Sequence, residues 1–91
     1  MAVLEEMVSS LEQMGIHVIH FHSESAFGQY EIATEPGDPL TVCDNLLVTR
    51  MTIVTIAHKH GYEACFLPKF TDDVGSGCHL NMSLSRVLPS Y

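Results

Sequence analysis

The order of predicted elements constrains this fold most, because helix, strand and strand follow one another twice within 91 residues. In each half, apolar residues at three-and-four spacing predict a helix, and a glycine, Gly15 or Gly61, stands where a left-handed cap would end it. Two stretches of alternating polar and apolar residues then predict a pair of strands. We therefore predict an α+β two-layer sandwich, a four-stranded and mainly antiparallel sheet with two helices on one face.

The first half predicts one amphipathic helix and a β-hairpin. The apolar stripe of the helix comprises Val3, Leu4, Met7, Val8, Leu11 and Met14. The hairpin spans roughly residues 17–34, and Ser25 to Gly28 form its predicted loop. Strand alternation gives a polar face with His20, His22, Glu24, Gln29 and Glu31, and an apolar face with Ile19, Phe21, Tyr30 and Ile32. Closing the hairpin brings Glu31 next to His22.

The second half predicts a longer helix, from Pro39 to about His60, capped by Asp38. Its predicted buried stripe comprises Leu40, Cys43, Leu47, Met51, Val54 and His58, widened by Leu46, Ile53 and Ala57. We expect this helix to be covered more completely than the first. Strands are predicted at about residues 63–67 and 78–84, and the polar face of the latter carries His79, Asn81 and Ser83.

Charge and composition restrict the possible partners and the compartment. Four Lys and Arg oppose eleven Asp and Glu, a net charge of −7, which repels phosphate backbones and anionic lipid surfaces. We expect no nucleic-acid partner and no membrane, since no apolar run approaches the roughly 18–20 residues of a span. The acidic N-terminus is unlike a signal peptide and predicts a cytoplasmic protein. The cysteines, Cys43, Cys65 and Cys78, are predicted to be reduced and mostly buried.

The uncovered face of the predicted sheet carries the candidate chemistry. Two carboxylates, Glu24 and Glu31, with a histidine suit a hard cation such as Mg²⁺ or Mn²⁺. The alternative, which applies above all to His20 and His22, is the ordinary wet side of a half-buried sheet. Residues 75–77, Gly-Ser-Gly, allow a ligand to approach the backbone, or form a simple turn. The basic run at residues 58–60 suits a helix C-terminus and needs no ligand role.

Five stretches together resemble consecutive signatures of the glutamine synthetase catalytic domain. These are Glu24-Ser25-Ala26-Phe27-Gly28-Gln29-Tyr30-Glu31-Ile32; Asp44-Asn45-Leu46 with Arg50; Ala57-His58-Lys59-His60-Gly61; Phe66-Leu67-Pro68-Lys69; and Gly75-Ser76-Gly77-Cys78-His79 with Ser83. Their order and gaps both match, and the resemblance covers about residues 4–84. It is nearest to the glutamine synthetase-like branch sometimes fused to amidohydrolases.

The resemblance implies a role for five residues. Glu24 and Glu31 match the metal-binding glutamates of the family, and His79 matches its metal-binding histidine. Gly75 falls where backbone groups line the amino-acid substrate, and Ser83 falls near the nucleotide. Two positions depart from the family: Asn81 replaces a histidine, and Val74 stands where many members have asparagine, which affects nucleotide contacts and substrate choice.

The resemblance also implies the reaction. The family uses ATP to phosphorylate a substrate carboxylate, such as that of glutamate, and ammonia or an amine then attacks the acyl phosphate. Mg²⁺ or Mn²⁺ would be the cofactor, and a homo-oligomer is implied for the full-length protein. Residues 1–91 lack counterparts of the family's N-terminal domain and of its later arginine-rich and glutamate-bearing segments. We therefore expect a single partial domain, inactive in isolation.

Two further interpretations remain open at this point. The chain could be a non-catalytic interaction module that descends from such an enzyme and uses its exposed sheet face to bind a partner or to self-associate. It could also be a small metal-dependent hydrolase, with a transition metal bound by His20, His22 and His79.

Overall fold

The computed structural model describes residues 2–23, 28–67 and 79–87. The elements in chain order are α1 (Ala2–Gln13), β1 (Val18–Ser23), β2 (Gln29–Thr34), α2 (Pro39–Lys59), β3 (Tyr62–Leu67) and β4 (His79–Arg86). The strands form one sheet in the order β1-β2-β4-β3, and each neighbouring pair is antiparallel. The predicted α+β architecture, with helix-strand-strand repeated twice, is confirmed. The predicted loops at residues 25–28 and 71–77 lie largely or wholly outside the described residues.

Helix α1 buries most of the stripe that its spacing predicts, although Val8 is only half-buried and Met14, beyond the end of the helix, is 50% exposed. Val3, Leu4, Met7 and Leu11 are all buried, because residues three and four apart share one side of a helix. The helix ends at Gln13, and Gly15 follows with a φ of 84°, a conformation that favours glycine.

Helix α2 begins and ends as the sequence predicts. The carboxylate of Asp38 accepts hydrogen bonds from the backbone N–H of Thr41 at 3.1 Å and from its hydroxyl at 2.7 Å. Pro39 occupies the first turn, where its missing N–H is not needed. The hydrogen bonds from Thr41 hold the pKa of the Asp38 carboxyl below its usual value. Gly61, with a φ of 82°, follows the last turn.

The side of α2 that faces the core differs from the predicted side. In the predicted stripe, Leu40, Leu47 and Met51 are 74%, 61% and 70% exposed, and Cys43 and His58 are exposed as well. The buried residues are Thr49, Ile53, Ile56 and Ala57, of which Ile53 and Ala57 were predicted only as the widening of the stripe. Met51 and Ile53 project about 160° apart on a helix, so the buried side lies nearly opposite the centre of the predicted stripe. The prediction of a more complete cover for α2 than for α1 is therefore wrong for the described part of the chain.

One hydrophobic core lies between the two helices and one face of the sheet. It contains buried side chains from both helices and from the two central strands: Val3, Leu4, Met7, Ile32, Ile53, Ile56, Ala57, Met82 and Leu84. The prediction that both helices cover the same face is thereby confirmed. Beside this core, Glu6 of α1 accepts hydrogen bonds from Nζ of Lys59 at 2.9 Å and from Nε2 of His60 at 3.0 Å. These contacts lower the pKa of the Glu6 carboxyl.

Both described cysteines are exposed, which corrects the prediction of mostly buried thiols. Cys43 lies on the side of α2 that the core leaves uncovered. Cys65 lies on the edge strand β3, opposite Ser83, on the sheet face away from the helices. Cys78 lies outside the described residues.

Helix α2 is also long and apolar enough to cross a membrane, judged by length and composition alone. Its 21 residues include a long and strongly apolar stretch. The expectation that no apolar segment approaches such a length is therefore wrong. Core helices of water-soluble proteins meet the same criterion, so the helix does not by itself indicate a membrane protein.

Candidate metal centre

The sheet face opposite the helices, here called the open face, arranges its side chains in rows across the strands. One row consists of His20, Ala33 and His79, because β1 and β4 both pair with β2 at position 33. The next row consists of His22, Glu31 and Asn81. Directly paired residues of neighbouring antiparallel strands project on the same side, so both rows belong to one surface. The predicted proximity of Glu31 and His22 is confirmed.

An irregularity in β1 lies directly before His20, which itself continues the regular register of His22. Val18 pairs with Thr34 and His20 pairs with Ala33, so Ile19 is an extra residue between two successive pairs. Such a bulge leaves the extra residue unpaired and locally changes where side chains project. Ile19 is 50% exposed, so its predicted place on the apolar face does not bury it.

A small residue separates the two imidazoles of the first row. Ala33 is fully buried, and its single methyl group lies between His20 and His79 in the row. The centroids of the two imidazole rings are 6.1 Å apart, with the rings inclined at 63°. A longer side chain at position 33 would project from the sheet into the space that these rings approach.

Two imidazoles contact the Glu31 carboxylate, one at each oxygen. Nδ1 of His79 donates a hydrogen bond to Oε1 of Glu31 at 2.8 Å. Nε2 of His22 lies 3.3 Å from Oε2. The Glu31 side chain is only 14% exposed and that of His79 21%, whereas that of His22 is 49% exposed. Glu31 is thus a shielded carboxylate held in a defined orientation, unlike a residue on a fully hydrated sheet face.

His20 completes a cluster with the donor types of a metal site. One ligand atom from each of His20, Glu31 and His79 lies within 4.8 Å of the other two. His20 also stacks on His22, with ring centroids 5.2 Å apart and an angle of 26° between the planes. Imidazole nitrogens and a carboxylate oxygen are ligands for divalent cations in proteins, so this donor set suits a divalent cation.

The predicted site residues are only partly within the described chain. Glu31 and His79 come together, as their predicted face requires, while Glu24 and Gly75 lie outside the described residues. Ser83 lies on the open face between Gln29 and Cys65, in the row beyond Asn81. Asn81, one of the two departures from the family, is 4% exposed. The roles predicted for Glu24, Glu31, Gly75, His79 and Ser83 remain predictions.

His20 is the residue that sequence reasoning undervalued. Its alternation with His22 placed it on the correct face, but the sequence did not show that β4 pairs with β2 beside Ala33. This pairing brings His79 into the same row as His20. The combination of a small residue in the central strand with a histidine on either neighbouring strand is the signal that could have identified the cluster.

Comparisons with known proteins agree with the motif resemblance. The family described as glutamine synthetase, catalytic domain, matches residues 1–87. A type-1 glutamine synthetase of Dictyostelium discoideum is 42% identical over 83 residues, which cover 90% of this chain and 17% of that protein. A glutamine synthetase of Clostridium saccharobutylicum is 42% identical over 82 residues, 89% of this chain and 18% of that protein.

A third relative is larger. The protein fluG of Emericella nidulans is 37% identical over 84 residues, which cover 91% of this chain and 10% of that protein. The chain therefore spans less than a fifth of the length of these curated relatives. No solved structure matches the chain at a significant level.

Proposed function

Because the chain belongs to the glutamine synthetase catalytic-domain family, we propose that it forms part of an ATP-dependent ligase that joins a carboxylate to ammonia or an amine. The observation that carries this proposal is the contact between Glu31 and His79 on the open face. These two residues match metal-binding positions of the family, and they come from strands 48 positions apart in the chain. Glutamate, or a related acid, is the proposed carboxylate substrate.

The proposed ligands of Mg²⁺ or Mn²⁺ are Glu24, Glu31 and His79. The arrangement around Glu31 supports this role, because His22 and His79 each contact one oxygen and limit the rotation of the carboxylate. A ligand held in this way loses less conformational entropy when a cation binds. Gly75 is proposed to contact the amino-acid substrate through its backbone, and Ser83 is proposed to lie near the nucleotide.

A bound divalent cation would neutralise charge on the phosphoryl group that is transferred from ATP. The chain's own residues hold the carboxylate oxygens of Glu31 on a shielded part of the sheet, with 14% of that side chain exposed. The imidazoles of His22 and His79 fix its orientation. Glu31 thus supplies a shielded and oriented oxygen ligand, the type of ligand that Mg²⁺ and Mn²⁺ favour.

We further propose that residues 1–91 are one partial domain and are inactive alone. Phosphoryl transfer needs cationic groups around the phosphates, and the sequence contains only Arg50, Lys59, Lys69 and Arg86. Two of these already have structural contacts: the Arg50 guanidinium lies 4.9 Å from the centre of the Phe66 ring, and Lys59 pairs with Glu6. The whole ligase is proposed to be a cytoplasmic homo-oligomer that supplies the remaining cationic groups.

Replacing the central carboxylate tests the metal site. We expect Mn²⁺, titrated into the 91-residue chain by calorimetry, to bind at least about 10-fold more weakly to Glu31→Gln than to the native chain, since a charged ligand is lost. Glu63→Gln on β3 is the matched control, because Glu63 is exposed and lies outside the cluster. Equal Mn²⁺ affinity of the native chain and Glu31→Gln would remove Glu31 from the site.

An activity assay tests the proposal of an inactive partial domain. The 91-residue chain, supplied with glutamate, hydroxylamine, ATP and Mg²⁺, is expected to form no γ-glutamyl product above a protein-free control, because the cationic groups are too few. Turnover by the native chain that disappears in Glu31→Gln would show that the chain is active by itself.

A further inference from the structure

We propose that His20 is a third metal ligand and that, with Glu31 and His79, it makes this centre selective for a borderline transition cation such as Zn²⁺ or Co²⁺. The inference deepens the proposed function, because it shares Glu31 and His79 with the proposed metal site. It differs in the added ligand and in the class of cation. The family motifs described above assign no metal-binding role to His20.

The donor atoms are already close enough for one ion. A cation bound at about 2.0–2.2 Å places neighbouring ligand atoms about 3.0–3.5 Å apart. The donor atoms of His20, Glu31 and His79 lie within 4.8 Å of one another, so contraction by about 1–2 Å completes the geometry. Rotation about the side-chain bonds of His20, which is exposed, is enough for this movement.

The backbone supports this set of ligands. All three residues lie on strands and are fixed by antiparallel pairing, with Glu31 on β2 between His20 on β1 and His79 on β4. Ligands on paired strands are held more accurately than ligands on loops. The methyl group of Ala33 keeps the space between the two imidazoles free of a long side chain.

The chemistry of the donors determines the class of cation. Two imidazole nitrogens and one carboxylate oxygen form a ligand set used for Zn²⁺ and for other first-row transition ions, with further positions left for water or substrate. Mg²⁺ prefers oxygen ligands in octahedral geometry, so an added imidazole contributes little to its binding. His20 should therefore raise the affinity for Zn²⁺ and Co²⁺ far more than the affinity for Mg²⁺ or Mn²⁺.

His22 acts as a positioning residue in this arrangement. Its ring stacks on His20, with centroids 5.2 Å apart, and its Nε2 lies 3.3 Å from the Glu31 oxygen that His79 does not contact. It therefore restrains two of the three ligands at once. Such outer contacts orient metal ligands and raise affinity without touching the ion.

The decisive experiment compares two cations with one variant of the 91-residue chain. We expect the native chain to bind about one equivalent of Zn²⁺, and His20→Gln to lower the Zn²⁺ affinity at least about 10-fold while changing the Mn²⁺ affinity less than about 3-fold. Co²⁺ gives an independent signature: its visible absorption in the native chain should weaken in His20→Gln. His58→Gln, which removes an exposed histidine from α2, is the matched control and should change neither affinity.

Different measurements would contradict this inference and the proposed function. Zn²⁺ affinity that is unchanged in His20→Gln, or lowered equally in His58→Gln, would overturn the inference while leaving Glu31-dependent Mn²⁺ binding intact. Mn²⁺ binding that does not depend on Glu31 would instead count against the proposed function. Circular dichroism of His20→Gln and of a second variant, His20→Asn, verifies that both retain the native secondary structure.

Discussion

The two halves of this molecule follow the same order of elements but use their helices differently. Helix α1 buries most of the apolar stripe that its sequence predicts, whereas α2 exposes the centre of its predicted stripe and buries the side with Ile53 and Ala57, which formed only the edge of that stripe. Both stripes have helical spacing, so spacing shows that each segment is a helix. It does not show which side of the helix the rest of the chain covers.

A matched pair of methionines gives the largest expected difference. Met7 of α1 is fully buried and Met51 of α2 is 70% exposed. We expect Met7→Ala to lower the free energy of unfolding by about 2–5 kcal/mol, because it removes buried methylene groups and leaves a cavity. Met51→Ala should change that free energy by less than about 0.5 kcal/mol. Chemical denaturation of both variants measures the difference, and similar losses would show that the Met51 side of α2 is covered in solution.

The glycines that follow the two helices, Gly15 and Gly61, test a respect in which the two halves should behave alike. Gly15 and Gly61 have φ values of 84° and 82°, and a Cβ at either position would meet no atom within 4 Å. Gly15→Ala and Gly61→Ala should therefore each cost only the backbone penalty, about 1–2 kcal/mol. Thermal unfolding measures both losses. A much larger loss at one glycine would mean that the two glycines are not equivalent.

The smallest expected effect concerns the ion pair that connects the two helices. Hydrogen bonds from Lys59 and then His60 lower the pKa of the Glu6 carboxyl from its usual value of 4.5. Because the folded-state pKa is the lower one, this stabilisation is present above about pH 4.5 and is lost as the pH falls through the folded-state pKa.

Glu6→Gln should therefore lower the unfolding midpoint slightly at pH 7, and the difference from the native chain should disappear in acid. Denaturation at several pH values checks this. Glu5→Gln, which alters an exposed glutamate on the same turn of α1, serves as the control. A difference that persists unchanged at pH 3 would show that the Glu6 contacts do not act through its charge.

Local signals predicted most of the fold. Asp38 with Pro39 marked the start of α2, and Gly15 and Gly61 marked the ends of both helices, because each of these effects depends on residues within one turn. The prediction failed where burial depends on residues distant in sequence. Which side of α2 stays uncovered, and whether Cys43 is exposed, depend on where the sheet and α1 lie. The spacing of apolar residues within one helix carries no information about those positions.

The candidate site, like the fold, could be predicted from the sequence only where local signals determine it. Alternation within β2 and β4 placed Glu31 and His79 on one face, and their 2.8 Å contact agrees with that prediction. The position of His20 beside His79 depends on the pairing of β1 and β4 with the same residue of β2. This arrangement cannot be obtained from one strand alone, because it results from how the three strands pair.

The row that contains Ala33 has a consequence for how such a centre could disappear during evolution. Ala33, whose methyl group cannot bind a metal, lies between His20 and His79 in this row and is fully buried. A bulky substitution at this position could abolish metal binding while every ligand is retained. Natural variants of this chain should therefore be compared by the size of residue 33 as well as by the identity of residues 20, 31 and 79.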